Sequence, residues 1–158
     1  MTEQEFITRS EVIKSRLYRT ALMYLGSEHD ALDAVDEAIY RGFRGYKKLR
    51  EETFFETWLT RILINLCKDE LKRRHREVAV EQLPEVSQEY LDTLPLKQAV
   101  AALPEELRSV IILRYFTGLT LEETAAALEI PRGTVSSRQK RALELLRLDL
   151  TEEKEVAQ

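Results

Sequence analysis

Two hydroxyls and two cations stand at helical spacing near the C-terminal end of the chain. They lie in the stretch IPRGTVSSRQKRALELLR, residues 130–147, which carries five bases and one acid although the 158-residue chain has a net charge of −4. If Val135 faces a core, then Ala142, Leu145 and Leu146 join it on one side of a helix. The opposite side then presents Ser136, Ser137, Lys140, Arg141 and Glu144. Hydroxyls and guanidinium groups bond base edges in a major groove, and Arg and Lys neutralise phosphates. The plainer alternative is a solvated amphipathic helix that only packs.

Other chemistry finds little support. Cys67 is the single cysteine, which excludes an internal disulfide and a thiolate cluster. His29 and His75 lie far apart, so no metal site is expected. No His, Cys or paired carboxylates stand at catalytic spacing, so neither an enzyme, nor a cofactor, nor a small-molecule substrate is expected. No apolar run approaches the ~18 residues of a membrane span. The polar start MTEQEFITRS does not read as a secretory signal, and a cytoplasmic protein is expected.

The charge comes in blocks. Residues 28–37, EHDALDAVDE, hold five acids; residues 41–50, RGFRGYKKLR, hold five bases; residues 68–76, KDELKRRHR, hold five bases and two acids. Blocks of opposite sign suit more than one charged partner, and equally suit solvated helix faces.

The elements that position these groups are helices. No alternating strand pattern stands out, and five glycines and four prolines punctuate the chain. A first helix over Glu5–Leu25 has the stripe Ile7, Val12, Ile13, Leu17, Ala21, Leu25 and stops at Gly26. Asp30 is expected to cap a second helix with the stripe Leu32, Val35, Ile39, Phe43. A third has Phe54, Phe55, Trp58, Leu59, Ile62, Leu63 and Leu66, with its aromatics expected in the core. Residues 78–97, with two prolines among scattered acids, read as a linker. Beyond it, Pro104 suits the first turn of PEELRSVIILRYF, which Gly118 stops. Thr120 and Glu123 match a capping box opening a short helix, whose small Ala125 and Ala126 allow a close crossing. Two helices joined by a tight turn, the second basic, form a helix-turn-helix pattern. The expectation is an all-α chain of two small helical domains: 1–77, a linker 78–97, a helix-turn-helix domain 98–150, and a tail 151–158.

The stretch LPEELRSVIILRYFTGLTLEETAAALEIPRGTVSSRQKRALELLR resembles the C-terminal DNA-binding region of bacterial sigma factors of the extracytoplasmic-function subfamily, within the sigma-70 family. RLYRTALMYLGSEHDALDAVDEAI and FFETWLTRILINLCKDELKRRHR resemble the two halves of that family's polymerase-binding and promoter-melting region. The likeness covers roughly residues 10–148. Four positions depart from the family pattern: Asp36 stands where Gln is usual, Glu129 fills a turn position often held by Gly, and Lys140 and Leu143 are this chain's own.

The resemblance implies a transcription initiation factor, not an enzyme, that lends promoter specificity to RNA polymerase core. It implies that Asp33, Asp36 and Glu37 meet the polymerase clamp, with a further contact to the flap. It implies that Asn65 and the loop Lys48, Leu49, Arg50, Thr53 hold the −10 element, with Arg61, Lys68, Arg73 and Arg74 along the backbone of the melted strand. In the second domain, Ser136, Ser137, Lys140 and Arg141 are expected near −35 bases, and Arg132, Thr134 and Arg138 near phosphates. Twenty extended linker residues reach ~70 Å, enough for the ~55 Å between the two elements. An anti-sigma protein is the expected regulator. The rival reading is a dimeric helix-turn-helix regulator that is not a polymerase subunit.

Overall fold

The computed structural model describes the backbone of residues 1–77 and 94–156 and the side chains of 1–77 and 95–147. The chain forms two compact units, Met1–Glu85 and Val86–Gln158. All regular elements among the described residues are helical. Most of the stretch read as a linker, 78–93, lies outside the described residues.

The first unit is a three-helix bundle: α1 (Glu3–Leu25), α2 (Glu28–Gly45) and α3 (Phe55–Arg76). A capping box opens α1. Thr2 N–H donates to Glu5 Oε2 at 2.6 Å, and Glu5 N–H donates to Thr2 Oγ1 at 3.1 Å. Gly26, at φ 69°, closes it by donating to the Leu22 carbonyl. The helix starts two residues earlier than the apolar stripe suggests, and Phe6 heads its buried face. Ile7 and Val12, expected inside, are exposed.

Two further expectations fail on α2. Its cap is Ser27, whose Oγ accepts from Asp30 N–H at 3.3 Å, and Asp30 sits in the first turn. Its inner face is Ala31, Val35, Ala38 and Gly42, whereas Leu32 and Phe43 are 52% and 40% exposed. The small residues let α2 lie close against its neighbours. A Cβ added at Gly42 would sit 2.8 Å from Leu59 Cδ1 and 3.4 Å from the Phe6 ring. At Gly42 even the methyl of alanine would crowd Leu59 at that separation.

On α3 the core is Phe55, Leu59, Leu63, Ile64 and Cys67. Phe55 stacks edge-on against Phe6, and Phe6 in turn meets Phe43 and Tyr46, with ring centroids 5.3–5.7 Å apart. Phe54 and Trp58 were expected in this core. Phe54 is instead 51% exposed and Trp58 half-buried.

The first described element of the second unit is α4 (Leu94–Ala102), which takes in the last four residues of the stretch read as a linker. Pro95 misled that reading. In a first turn its missing N–H would have had no partner anyway. Pro104 precedes α5 (Glu105–Ile111), which continues as a wider π-helical segment over Ile112–Thr117. Gly118, at φ 83°, ends it. The Thr120–Glu123 capping box opens α6 (Leu121–Leu128) as expected. Glu129 follows at φ 57°. Its N–H donates to the Ala126 carbonyl and that of Ile130 to the Ala125 carbonyl, the paired bonds of a left-handed helix cap. After Pro131 comes α7 (Arg132–Val156). The side of α6 turned inward carries Thr124 and Ala127, not Ala125 and Ala126.

Candidate nucleic-acid interface

The packing of α7 divides it as its apolar spacing requires. Val135 and Ala142 are fully buried, Leu146 is buried and Leu145 half-buried, while Ser136, Ser137, Lys140, Arg141 and Glu144 are exposed. Ser137 Oγ donates back to the Gly133 carbonyl at 3.0 Å, which leaves its oxygen turned out as an acceptor. Lys140 and Arg141 have no ion-pair partner among the described residues, so their donors are available. Arg132 donates to Glu122 at 3.0 Å, and Arg138 lies 3.8 Å from Glu106. Both carboxylates are solvent-facing, and such pairs contribute only ~0–1 kcal/mol. A phosphate can displace them. Thr134 is half-buried beside them.

On α3 the spacing 54, 58, 61, 65, 68 follows one side of a helix. Phe54, Trp58, Arg61, Asn65 and Lys68 are all exposed or half-buried there, opposite the buried Phe55–Leu59–Leu63 row. Two aromatic rings followed along one track by two cations flanking an amide suit an unpaired strand, in which bases stack and phosphates need neutralising. Phe54 and Trp58 are the members that sequence reading placed in the core. The signal was present: the spacing 54, 58, 61, 65 points one way, and the hydrophobicity of the rings hid it.

Lys48, Leu49, Arg50 and Thr53 lie between and within two single 3₁₀ turns, Tyr46–Lys48 and Glu52–Phe54. Leu49 is half-buried; the other three are exposed. The loop is held from α1 by Arg9, which donates to the Glu52 carbonyl at 2.6 Å and lies 4.6 Å over the Phe55 ring. The terminal amine of Met1 adds a 2.5 Å ion pair to the Glu52 carboxylate. Nothing in the sequence spacing singles out Arg9, since the contact spans 43 residues.

The basic end of α3 splits into different roles. Arg73 is exposed but paired with Glu70 at 2.6 Å and Glu77 at 2.9 Å. Its hydrogen bond holds the Glu70 carboxyl below the usual carboxylate range. Arg74 turns inward, to the Leu25 carbonyl and the Asp30 carboxylate. That internal tie competes with the strand-lining role its sequence position suggested.

Asp33, Asp36 and Glu37 are exposed on α2. Glu37 pairs with Arg41 at 2.9 Å, and Asp33 lies 3.4 Å from His29. His29, Asp30 and Asp33 bring their polar atoms within 4.8 Å of one another, a grouping that the distance between the two histidines concealed. Asp30 is already engaged by Arg74. The three acids share the outer side of α2 with exposed Leu32, Tyr40 and Phe43. No helix among the described residues is long and apolar enough to cross a membrane.

The comparisons with known proteins agree with both domains. Residues 11–77 match the family Sigma-70 region 2, and residues 99–148 match Sigma-70, region 4. RNA polymerase sigma factor SigV of Bacillus subtilis is 31% identical over 145 residues, covering 89% of this chain and 87% of that protein. ECF RNA polymerase sigma factor SigW of the same organism is 32% identical over 162 residues, covering 89% and 86%. The sigma factor RpoE of Bartonella quintana, solved in complex with the anti-sigma factor NepR, has the same fold, with a TM-score of 0.82, 24% identity, and coverage of 94% and 98%. The chain belongs to the sigma-70 family, in its extracytoplasmic-function subfamily, and is an alternative sigma factor that directs RNA polymerase to promoters.

Proposed function

We propose that the two faces described above divide promoter recognition between them. The outer track of α3, with Asn65 at its centre and Phe54, Trp58, Arg61 and Lys68 beside it, holds the unpaired strand of the −10 element together with Lys48, Leu49, Arg50 and Thr53. The outward face of α7 reads the −35 duplex through Ser136, Ser137, Lys140 and Arg141, while Arg132, Thr134 and Arg138 hold its backbone. The observation that carries this reading is the separation on each helix: every core position is apolar or small, and every candidate contact position is solvent-facing or half-buried. Arg73 and Arg74 belong to the same basic end, with Arg74 acting chiefly inside the domain.

Polymerase core docks on the outer side of α2. Acids next to an exposed apolar trio, Leu32, Tyr40 and Phe43, suit a basic partner surface with apolar sockets. Asp36, in place of the usual Gln, adds a charge there that acts mainly on association rate. A second contact, with the flap, fits an apolar groove of about 390 Å³ in the second unit, lined by Leu96, Val100, Tyr115, Phe116 and Leu143. The same surfaces suit an anti-sigma partner, and a cytoplasmic location fits a protein that works on RNA polymerase and promoter DNA. The dimeric-regulator reading has no use for a sigma-70 region 2 domain at residues 11–77.

The test is run-off transcription by core polymerase with the purified chain on a promoter and its −10 variants. Asn65→Ala is expected to change the ranking of the −10 variants while leaving the fold intact. An unchanged ranking on every variant removes Asn65 from the site.

A further inference from the structure

Arg114 lies in the wide-turn segment of the second unit, outside both faces assigned above. Its guanidinium is part-buried and forked. Nη1 donates to the Leu119 carbonyl at 2.5 Å, and Nε donates to Gln139 Oε1 at 2.8 Å. A guanidinium only donates, so it must meet the oxygen of the amide. Leu119 stands in the turn that leads into α6, and Gln139 stands in α7 between Ser137 and Lys140. The backbone repeats this closure, with Leu119 N–H donating to the Leu113 carbonyl at 2.9 Å.

We propose that Arg114 is a positioning residue for −35 recognition, pinning the rotation of α7 about its own axis through Gln139. The inference rests on the reading of the outward α7 face as the −35 reader. The buried contacts of Val135, Ala142 and Leu146 are apolar and therefore non-directional. They hold the helix in place but resist its turning weakly. Gln139, four residues after Val135 and three before Ala142, sits at the flank of that buried row, where a hydrogen bond pulls along the circumference.

The geometry makes rotation costly for reading. Outward side chains lie ~5–6 Å from a helix axis, so a turn of ~10° shifts their tips by ~1 Å. A hydrogen bond tolerates a spread of only ~0.5 Å in donor–acceptor distance. The exposed pairs Arg132–Glu122 and Arg138–Glu106 are too weakly held to replace a part-buried bond.

The test measures open-complex yield by full-length chain and core polymerase on a promoter and on single base-pair variants of its −35 element. The quantity read is the ratio between preferred and altered sequences. Arg114→Met is expected to lower that ratio about tenfold, the size of one good base contact. Gln139→Leu should do the same, the double variant should fall no further than either, and Arg114→Lys should recover part of the ratio. An equal loss on every sequence, or a double variant that falls by the product of the two singles, overturns the pin. Where Arg114→Met fails to fold, Gln139→Leu decides alone: a lowered ratio supports the pin and an unchanged one overturns it. A wild-type chain with no −35 preference overturns the reading of the face, and the pin with it.

Discussion

Arg74 Nη1 donates to the Leu25 carbonyl at 2.7 Å, joining the end of α3 to the last residue of α1. Its other arm meets Asp30 in the first turn of α2, and Nε lies 3.4 Å from Glu70. One guanidinium thus satisfies a carbonyl that α1 leaves unpaired and an acid at the start of α2. Arg74→Ala is expected to destabilise the first domain by ~1–3 kcal/mol, with Arg74→Lys only partly restoring it because an ammonium cannot fork. Chemical denaturation of the full chain measures this. Unchanged stability together with a weaker salt dependence of DNA binding would return Arg74 to the strand-lining set.

Gly42 is required by closeness, not by turn geometry. Its missing Cβ lets Leu59 and Phe6 occupy the space, with 2.8 Å between an added Cβ and Leu59 Cδ1. Leu59 is fully buried and has nowhere to retreat. Gly42→Ala is expected to cost ~1–3 kcal/mol by overpacking, despite the better helix propensity of alanine. A denaturation midpoint equal to or above the wild type would show that α2 can shift outward.

How legible the molecule was depended on which physical force set each position. Several caps and stops were readable because they are local: Gly26, Gly118 and the Thr120–Glu123 box stand where their residue types require, whereas Asp30 stood in for the true cap Ser27 three residues earlier. The α7 face was readable because Val135, Leu145 and Leu146 are large and apolar and fix the side that Ala142 shares. On α2 the same reasoning pointed to Leu32 and Phe43, since a hydrophobic stripe rewards size whereas close helix packing selects Ala31, Ala38 and Gly42. Arg74 looked like any other cation in KRRHR. Arg9, Arg74 and Arg114 take their roles from partners 25 to 49 residues away, and no local spacing encodes those partners.

Glu129 holds a left-handed backbone at φ 57°, ψ 44° without being glycine. Its Cβ crowds the following carbonyl in that region. Glu129→Gly is expected to raise the stability of the second domain by about 1 kcal/mol, and Glu129→Ala is not, since alanine keeps the Cβ. Thermal melting of the two variants side by side checks this. Equal midpoints would assign the effect to the glutamate side chain.

Cys67 is buried in the first domain, and burial pushes its thiol from about 9 up to about 12. The folded state therefore keeps a proton that the unfolded state gives up. Below about pH 9 both states hold it and stability is unaffected. Between about 9 and 12 stability falls as pH rises. The native thiol is expected to resist alkylation at neutral pH, since the thiolate is the nucleophile. Cys67→Ala should flatten the alkaline decline in denaturation midpoint, and an unchanged slope would place its cause elsewhere.

Arg141 and Arg132 stand on the same helix but face different tasks. Arg141 is exposed one turn beyond Ser137 and has no ion-pair partner among the described residues, so its forked donors can meet a guanine edge. Arg132 lies in the first turn of α7, 3.0 Å from Glu122, at the end where a helix best accepts an anion. Arg141→Ala is expected to cost ~1–3 kcal/mol at one preferred base pair of the −35 element and to leave the others nearly unchanged. Arg132→Ala should weaken every sequence alike and lower the salt slope by about 1. Binding of the full chain with polymerase core to a panel of single-base variants, at two salt concentrations, separates the two. If Arg141→Ala loses affinity equally across the panel, it too is a phosphate clamp, and base reading falls to Ser136, Ser137 and Lys140.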